Sequence, residues 1–191
     1  AIGSARHFGS GVDDMLLYFA ISVILTGLCS QLPYNTDTLV YYCIALPFLL
    51  AASIRYLDRL LAAATFICML MILLLAVNNI PRLALYLLPF SGMLFSAGAY
   101  FFAQKGQLRY AWRHWHRQLV VVEMLALATF YMSGNYWIVQ QAGAELFQLE
   151  QVPMADFFWL FTFIVPVAYI LIGLFKKDRL MMDIGLGCIA A

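Results

Sequence analysis

Lys176-Lys177-Asp178-Arg179-Leu180 is a charged turn set between two apolar runs, and its reading decides the fold. A near copy stands at Arg55-Tyr56-Leu57-Asp58-Arg59-Leu60, and a weaker version, Asp13-Asp14-Met15-Leu16, opens the first run. Each cluster borders roughly 20 mostly apolar residues, the length that about 30 Å of hydrocarbon asks of a helix rising about 1.5 Å per residue. A charged cluster in that position is a reversal point on one side of a membrane.

Composition agrees. Hydrophobic residues make up 64% of the chain and charged residues 11%, against about 45–50% and about 25% in a soluble domain. A soluble core of 191 residues cannot hide that much apolar surface. A bilayer can, and it offers no partner to a free backbone N–H or C=O, so the runs are expected to be continuous helices. The net charge of +1 lacks the basic field that nucleic acid attracts, and no nucleic-acid partner is expected.

The fold expected is therefore all-α, a polytopic transmembrane bundle of seven helices at about 14–31, 38–56, 58–79, 82–103, 118–139, 155–175 and 178–191. Residues 1–12, rich in glycine and serine, read as a flexible lead. The last run spans too few residues to cross a bilayer. The chain is thus expected to be a piece of a longer one, with further helices or a soluble domain beyond its ends. Asp14, Asp58 and Asp178 stand at helix starts, where a carboxylate caps free N–H groups, and Arg59 and Arg179 follow two of them. The segment 144–152 reads as a short helix on the membrane surface. With the N-terminus on one side, that side collects Arg6, Arg55, Arg59, Lys105, Arg109, Arg113, Arg117, Lys176, Lys177 and Arg179, and the other side only Arg82. The positive-inside bias then places the N-terminus in the cytoplasm, most simply of a bacterial inner membrane.

A helical-hairpin repeat is also expected. Pro47 lies eleven residues before Asp58, and Pro166 twelve before Asp178, so the second and third helices match the sixth and seventh. Such repeats build the central sites of some transporters. Capping aspartates, inside-marking arginines and membrane prolines give the same pattern without duplication.

Few residues point to chemistry. Glu123 is the one acidic residue well inside a run, six residues beyond Arg117 and so about 9 Å into the helix. A carboxylate there is costly unless it is paired, protonated or wet. His116 shares its helical face, which makes Glu123 and His116 a candidate proton path; a pair with a basic residue on a neighbouring helix is the structural alternative. Asn135 and Ser133 either line an outward-facing cavity or hold helices together. Tyr41, Tyr42, Tyr136 and Trp137 fit an aromatic belt. Arg109, Arg113 and Arg117, spaced by four, form one ridge if the segment is α-helical, flanked by Trp112 and Trp115. The ridge is expected to meet lipid phosphates, with the indoles in the headgroup layer.

No metal site and no cofactor are expected: His114 and His116 are two apart, and the sequence has neither a glycine-rich phosphate loop nor an HExxH motif. Cys29 and Cys43 fall near one edge of adjacent helices, within reach of a disulfide; small packing residues are the simpler reading. No catalytic residue is assigned. Three function classes follow: a small-solute or proton-coupled carrier, favoured by the prolines, the repeat and Glu123; a non-catalytic structural or sensory membrane domain; and a membrane-embedded enzyme on a lipid-linked substrate. The partners expected are membrane lipids and a second copy of the chain.

Overall fold

Residues 12–33, 36–80, 84–147 and 154–190 are described by the computed structural model, and every regular element among them is helical. The order is α1 (Val12–Cys29), α2 (Thr38–Tyr56), α3 (Arg59–Asn78), α4 (Ala84–Leu108), a 3-10 segment (Tyr110–Trp115), α5 (His116–Gly134), α6 (Tyr136–Phe147), α7 (Ala155–Lys176) and α8 (Arg179–Ala190). The lead expected before residue 12 and the part of the surface helix beyond Phe147 lie outside the described residues.

Four described helices, α2, α3, α4 and α7, are long and apolar enough to cross a membrane, and α5 with α6 supplies a fifth span if the bent pair counts as one. The other two helices of the expected seven fall outside that set: α1 has 18 residues with its apolar part at Met15–Cys29, and α8 has 12, as its short run in the sequence leads one to expect. The outer surface carries large apolar side chains such as Phe19, Phe101, Trp159 and Phe163. Lipid tails are as apolar as these groups, so their exposure costs nothing in a bilayer. The protein is an all-α, multi-span integral membrane bundle.

α5 is its axis. It packs on α3, α4, α6, α7 and α8, and it buries Gln118, Leu119, Glu123, Ala126, Leu127, Tyr131 and Gly134. Its approach to α4 depends on small residues: the Ser133 side chain fills the space where a Cβ on Gly92 would sit. With little hydrophobic drive between helices in lipid, such close backbone contact supplies the attraction.

The α2–α3 and α7–α8 hairpins flank this axis with one turn design. Leu57 (φ 54°) and Lys177 (φ 56°) each end a helix in the left-handed conformation. An aspartate follows each: Asp58 Oδ1 accepts from the Leu61 N–H at 3.0 Å, and Asp178 Oδ1 from the Leu180 N–H at 3.1 Å. Arg59 and Arg179 are the first residues of α3 and α8. Asp14 lies within the first turn of α1, which begins at Val12.

Three expectations about the middle of the chain change. Helix four runs on to Leu108 instead of stopping near residue 103, which carries Gln104 and Gln107 into regular helix. The helix expected over 118–139 breaks at Asn135, and its two parts bend by 65°. The cause is local. Asn135 turns to an extended backbone (ψ 125°), its Oδ1 accepts from the Trp137 N–H at 3.0 Å, and the Tyr136 N–H goes to Thr162 Oγ1 at 2.9 Å. The helix stops because side chains take over its hydrogen bonds. Third, the arginines do not form one ridge. Residues 110–115 wind as a 3-10 helix with about 3 residues per turn, so positions four apart point in different directions. Trp112 and Trp115, three apart, eclipse instead, with ring centroids 5.9 Å apart. Cys29 and Cys43 are both free.

Candidate functional site

Two distinct environments meet at α5 near one end of the bundle. That end is defined by contacts between element termini: the Gln118 amide, at the start of α5, donates to the Ser53 carbonyl at 2.8 Å at the end of α2. Tyr18, early in α1, donates to Asp58 Oδ2 at 2.9 Å. Arg55, Arg59, Lys105, Arg109, Arg113 and Arg117 stand on elements that start or stop there.

The first environment is a half-open groove of about 730 Å³ between α2, α3, α4 and α5. Its walls are Leu50, Met69, Phe95, Phe102 and Val122 with their neighbours, Gly98 lies along it, and Trp115 stands at its charged end. Three of the few polar side chains along it are bonded to backbone, and Ser53 is a fourth lining residue. Thr65 Oγ1 donates to the Leu61 carbonyl at 2.7 Å, Ser91 Oγ to the Leu88 carbonyl at 2.9 Å, and the Gln118 amide to Ser53 as above. Gly98 needs no room to itself: a Cβ there meets nothing within 4 Å.

The second environment lies on the other side of the same helix turn. Glu123 is 4% exposed. Gln104 Nε2 donates to its Oε1 at 2.9 Å and Gln107 Nε2 to its Oε2 at 2.6 Å. Tyr100, one turn earlier on the same face of α4, has a buried hydroxyl without a hydrogen-bond partner and lies within electrostatic reach of Glu123 and Asp178. Amides on both oxygens give the buried carboxyl group hydrogen-bond partners and lower the cost of burying it. The basic partner considered from the sequence is replaced by two glutamines, and no ion pair to Glu123 occurs among the described residues.

The structure does not join His116 to this carboxylate. His116 is exposed at the first position of α5, and both Glu123 oxygens are held by α4. Asn135 and Ser133 are spent on structure, the first capping α6 and the second packed against Gly92. Asp58 and Asp178 are taken up as caps. Neither Glu123 nor Pro47, Pro89 or Pro166 lines the groove. Among the described residues no group of three His, Cys, Asp or Glu side chains is placed to hold a metal ion.

What the sequence missed are Gln104, Gln107 and Tyr100. Their spacing, at positions 100, 104 and 107, was a helical face waiting to be read, but a helix ended at residue 103 hides it.

The aromatic segment lies against the mouth of the groove. The Arg109 guanidinium carbon is 5.8 Å from the centre of the Trp112 ring, and Trp112 meets Phe102, a groove residue, with centroids 5.5 Å apart and planes at 59°. Trp112 also meets Trp115. The edge of the groove is thus an aromatic rim carrying an arginine. No family model matches the sequence, and neither a curated protein nor a solved structure matches it.

Proposed function

We propose that this membrane protein is a lipid-binding domain, non-catalytic in itself, which takes the hydrocarbon tail of a membrane lipid into the groove between α2 and α5. The observation that carries this is the apolar lining, in which Ser53, Thr65, Ser91, Trp115 and Gln118 are the polar side chains. The groove has the size of a ligand pocket, within the usual range of about 300–1,000 Å³. Yet the hydroxyls of Thr65 and Ser91 and the amide of Gln118 are already donated to carbonyls. A polar solute entering it loses its water and gains few partners, which costs several kcal/mol. A hydrocarbon chain loses nothing. Arg109, Trp112, Trp115 and Arg113 then lie at headgroup level, with Arg117 at the start of α5, as the positive-inside bias and the aromatic belt require of a cytoplasmic end. On that assignment the N-terminus is cytoplasmic and the membrane is a bacterial inner membrane. The shared turns of the α2–α3 and α7–α8 hairpins support a duplicated hairpin behind the bundle.

Gly98→Leu tests the proposal directly. It places a side chain into the open groove, with no neighbour to displace near the Cβ. Mass spectrometry of the protein extracted in mild detergent is expected to find wild type carrying a lipid and Gly98→Leu carrying less, with unchanged thermal stability. Equal lipid on both would sink it.

A second reading has its own observation. The carboxylate of Glu123, buried on a helix near the charged end, is the group a proton-coupled carrier uses. Glu123→Gln in vesicles loaded with a pH-sensitive dye would then slow proton entry. Entry at the wild-type rate removes the carrier.

A further inference from the structure

In a bilayer every lipid tail is already out of water, so an apolar groove gains little from one tail over another. Selection among lipids must come from the headgroup. The surface beside the groove supplies a place for it. A shallow cup of about 470 Å³ is lined by Tyr110, Ala111, Arg113 and His114. The His114 ring stands edge-on to Trp115, centroids 5.9 Å apart and planes at 86°. Trp115 lines the groove, so one indole lies between the groove and the cup's histidine. All four residues of the cup are accessible, and Arg113 and His114 sit in the last turn of the 3-10 segment.

We propose that this cup binds the phosphate of an anionic lipid headgroup, with the lipid's tail in the groove. The inference rests on the lipid-binding proposal above and names its substrate class. The chemistry is complementary. Arg113 offers the planar fork that matches two phosphate oxygens, Tyr110 offers a hydroxyl donor, and His114 a ring N–H. The cup contains no acidic residue, and Arg109 on the neighbouring Trp112 adds a second positive charge. A zwitterionic headgroup brings its own cation into this field and is disfavoured. A basic residue near an anionic lipid surface contributes about 1 kcal/mol, or roughly a fivefold preference.

The experiment offers the full chain an equimolar mixture of phosphatidylglycerol and phosphatidylcholine with identical tails. It measures which lipid is retained on wild type, Arg113→Gln, Arg113→Lys and Gly98→Leu. Wild type is expected to retain the anionic lipid by about fivefold, Arg113→Gln to approach parity, and Arg113→Lys to fall between. These positions are exposed, so the variants are expected to fold as wild type does, and thermal midpoints check that. If wild type retains both lipids equally while Gly98→Leu loses both, the cup is overturned and the groove stands. If wild type retains neither, or Gly98→Leu keeps both, the groove itself fails. Inorganic phosphate is expected to leave the preference unchanged, because it has no tail. If it abolishes the preference, the cup is a site for a free anion and the lipid assignment is wrong.

Discussion

Val122 and Glu123 are neighbours in the chain, and they face two kinds of interior. Val122 looks into a groove that stays open, walled almost wholly by apolar side chains, with the Thr65 and Ser91 hydroxyls turned back on their own helices. Glu123 looks into a closed polar nest, held on both oxygens by glutamines of α4. The contrast shows how a helix in lipid divides its labour. On the nest side, polar groups are consumed in fixing α4 against α5. On the groove side, they are kept out of reach, so that space remains for something apolar.

That division is open to attack, beginning with the largest effect. Glu123→Ala leaves two half-buried amide donors without an acceptor, each worth about 1–2 kcal/mol. Unfolding in detergent is expected to show a loss of about 2–4 kcal/mol, and a loss near zero would mean that the nest is wet. A pair of glycines comes next. A Cβ on Gly134 runs into the Phe161 ring, whereas a Cβ on Gly98 meets open space. Gly134→Ala is expected to destabilise by about 1–3 kcal/mol, and Gly98→Ala to be neutral or to stabilise by up to about 1 kcal/mol through helix propensity. The same loss at both positions would deny that the groove is open.

Smaller effects separate the two hairpins. Asp58→Ala and Asp178→Ala each remove a cap worth about 1 kcal/mol. Asp58 is expected to lose more, because it also accepts from Tyr18. Smallest of all, Leu57→Gly and Lys177→Gly relieve a left-handed backbone at φ 54° and 56° and are expected to stabilise by about 0.5 kcal/mol each. Matching gains support one turn built twice; a gain at one site alone breaks the likeness.

The class of fold was legible because apolar length and charge punctuation are long-range signals that survive local errors. The Asp58 and Asp178 caps were legible for the same reason: each stands between two apolar runs. The middle of the chain was not. Gln104 and Gln107 look like loop residues in a basic stretch until a partner carboxylate is known, and Glu123 looks orphaned until they are found. The 3-10 winding of Tyr110–Trp115 differs from an α-turn by a small backbone change that composition does not record, yet it dissolves the expected arginine ridge. The groove was invisible in principle. It is a gap between helices, set by which small residues make contact and which do not, as Gly92 does and Gly98 does not.

The most direct test uses a phospholipid with a photoactivatable group at the end of its tail, reconstituted with the full chain and identified by peptide sequencing after detergent washing. Bulk lipid marks outward residues such as Trp159 and Phe163. A held tail marks Met69 and Phe95 inside the groove as well. Strong adducts on Met69 or Phe95 are expected in wild type and are expected to disappear in Gly98→Leu, while the outer adducts persist. Labelling confined to the outer residues in both proteins would contradict a tail held in the groove.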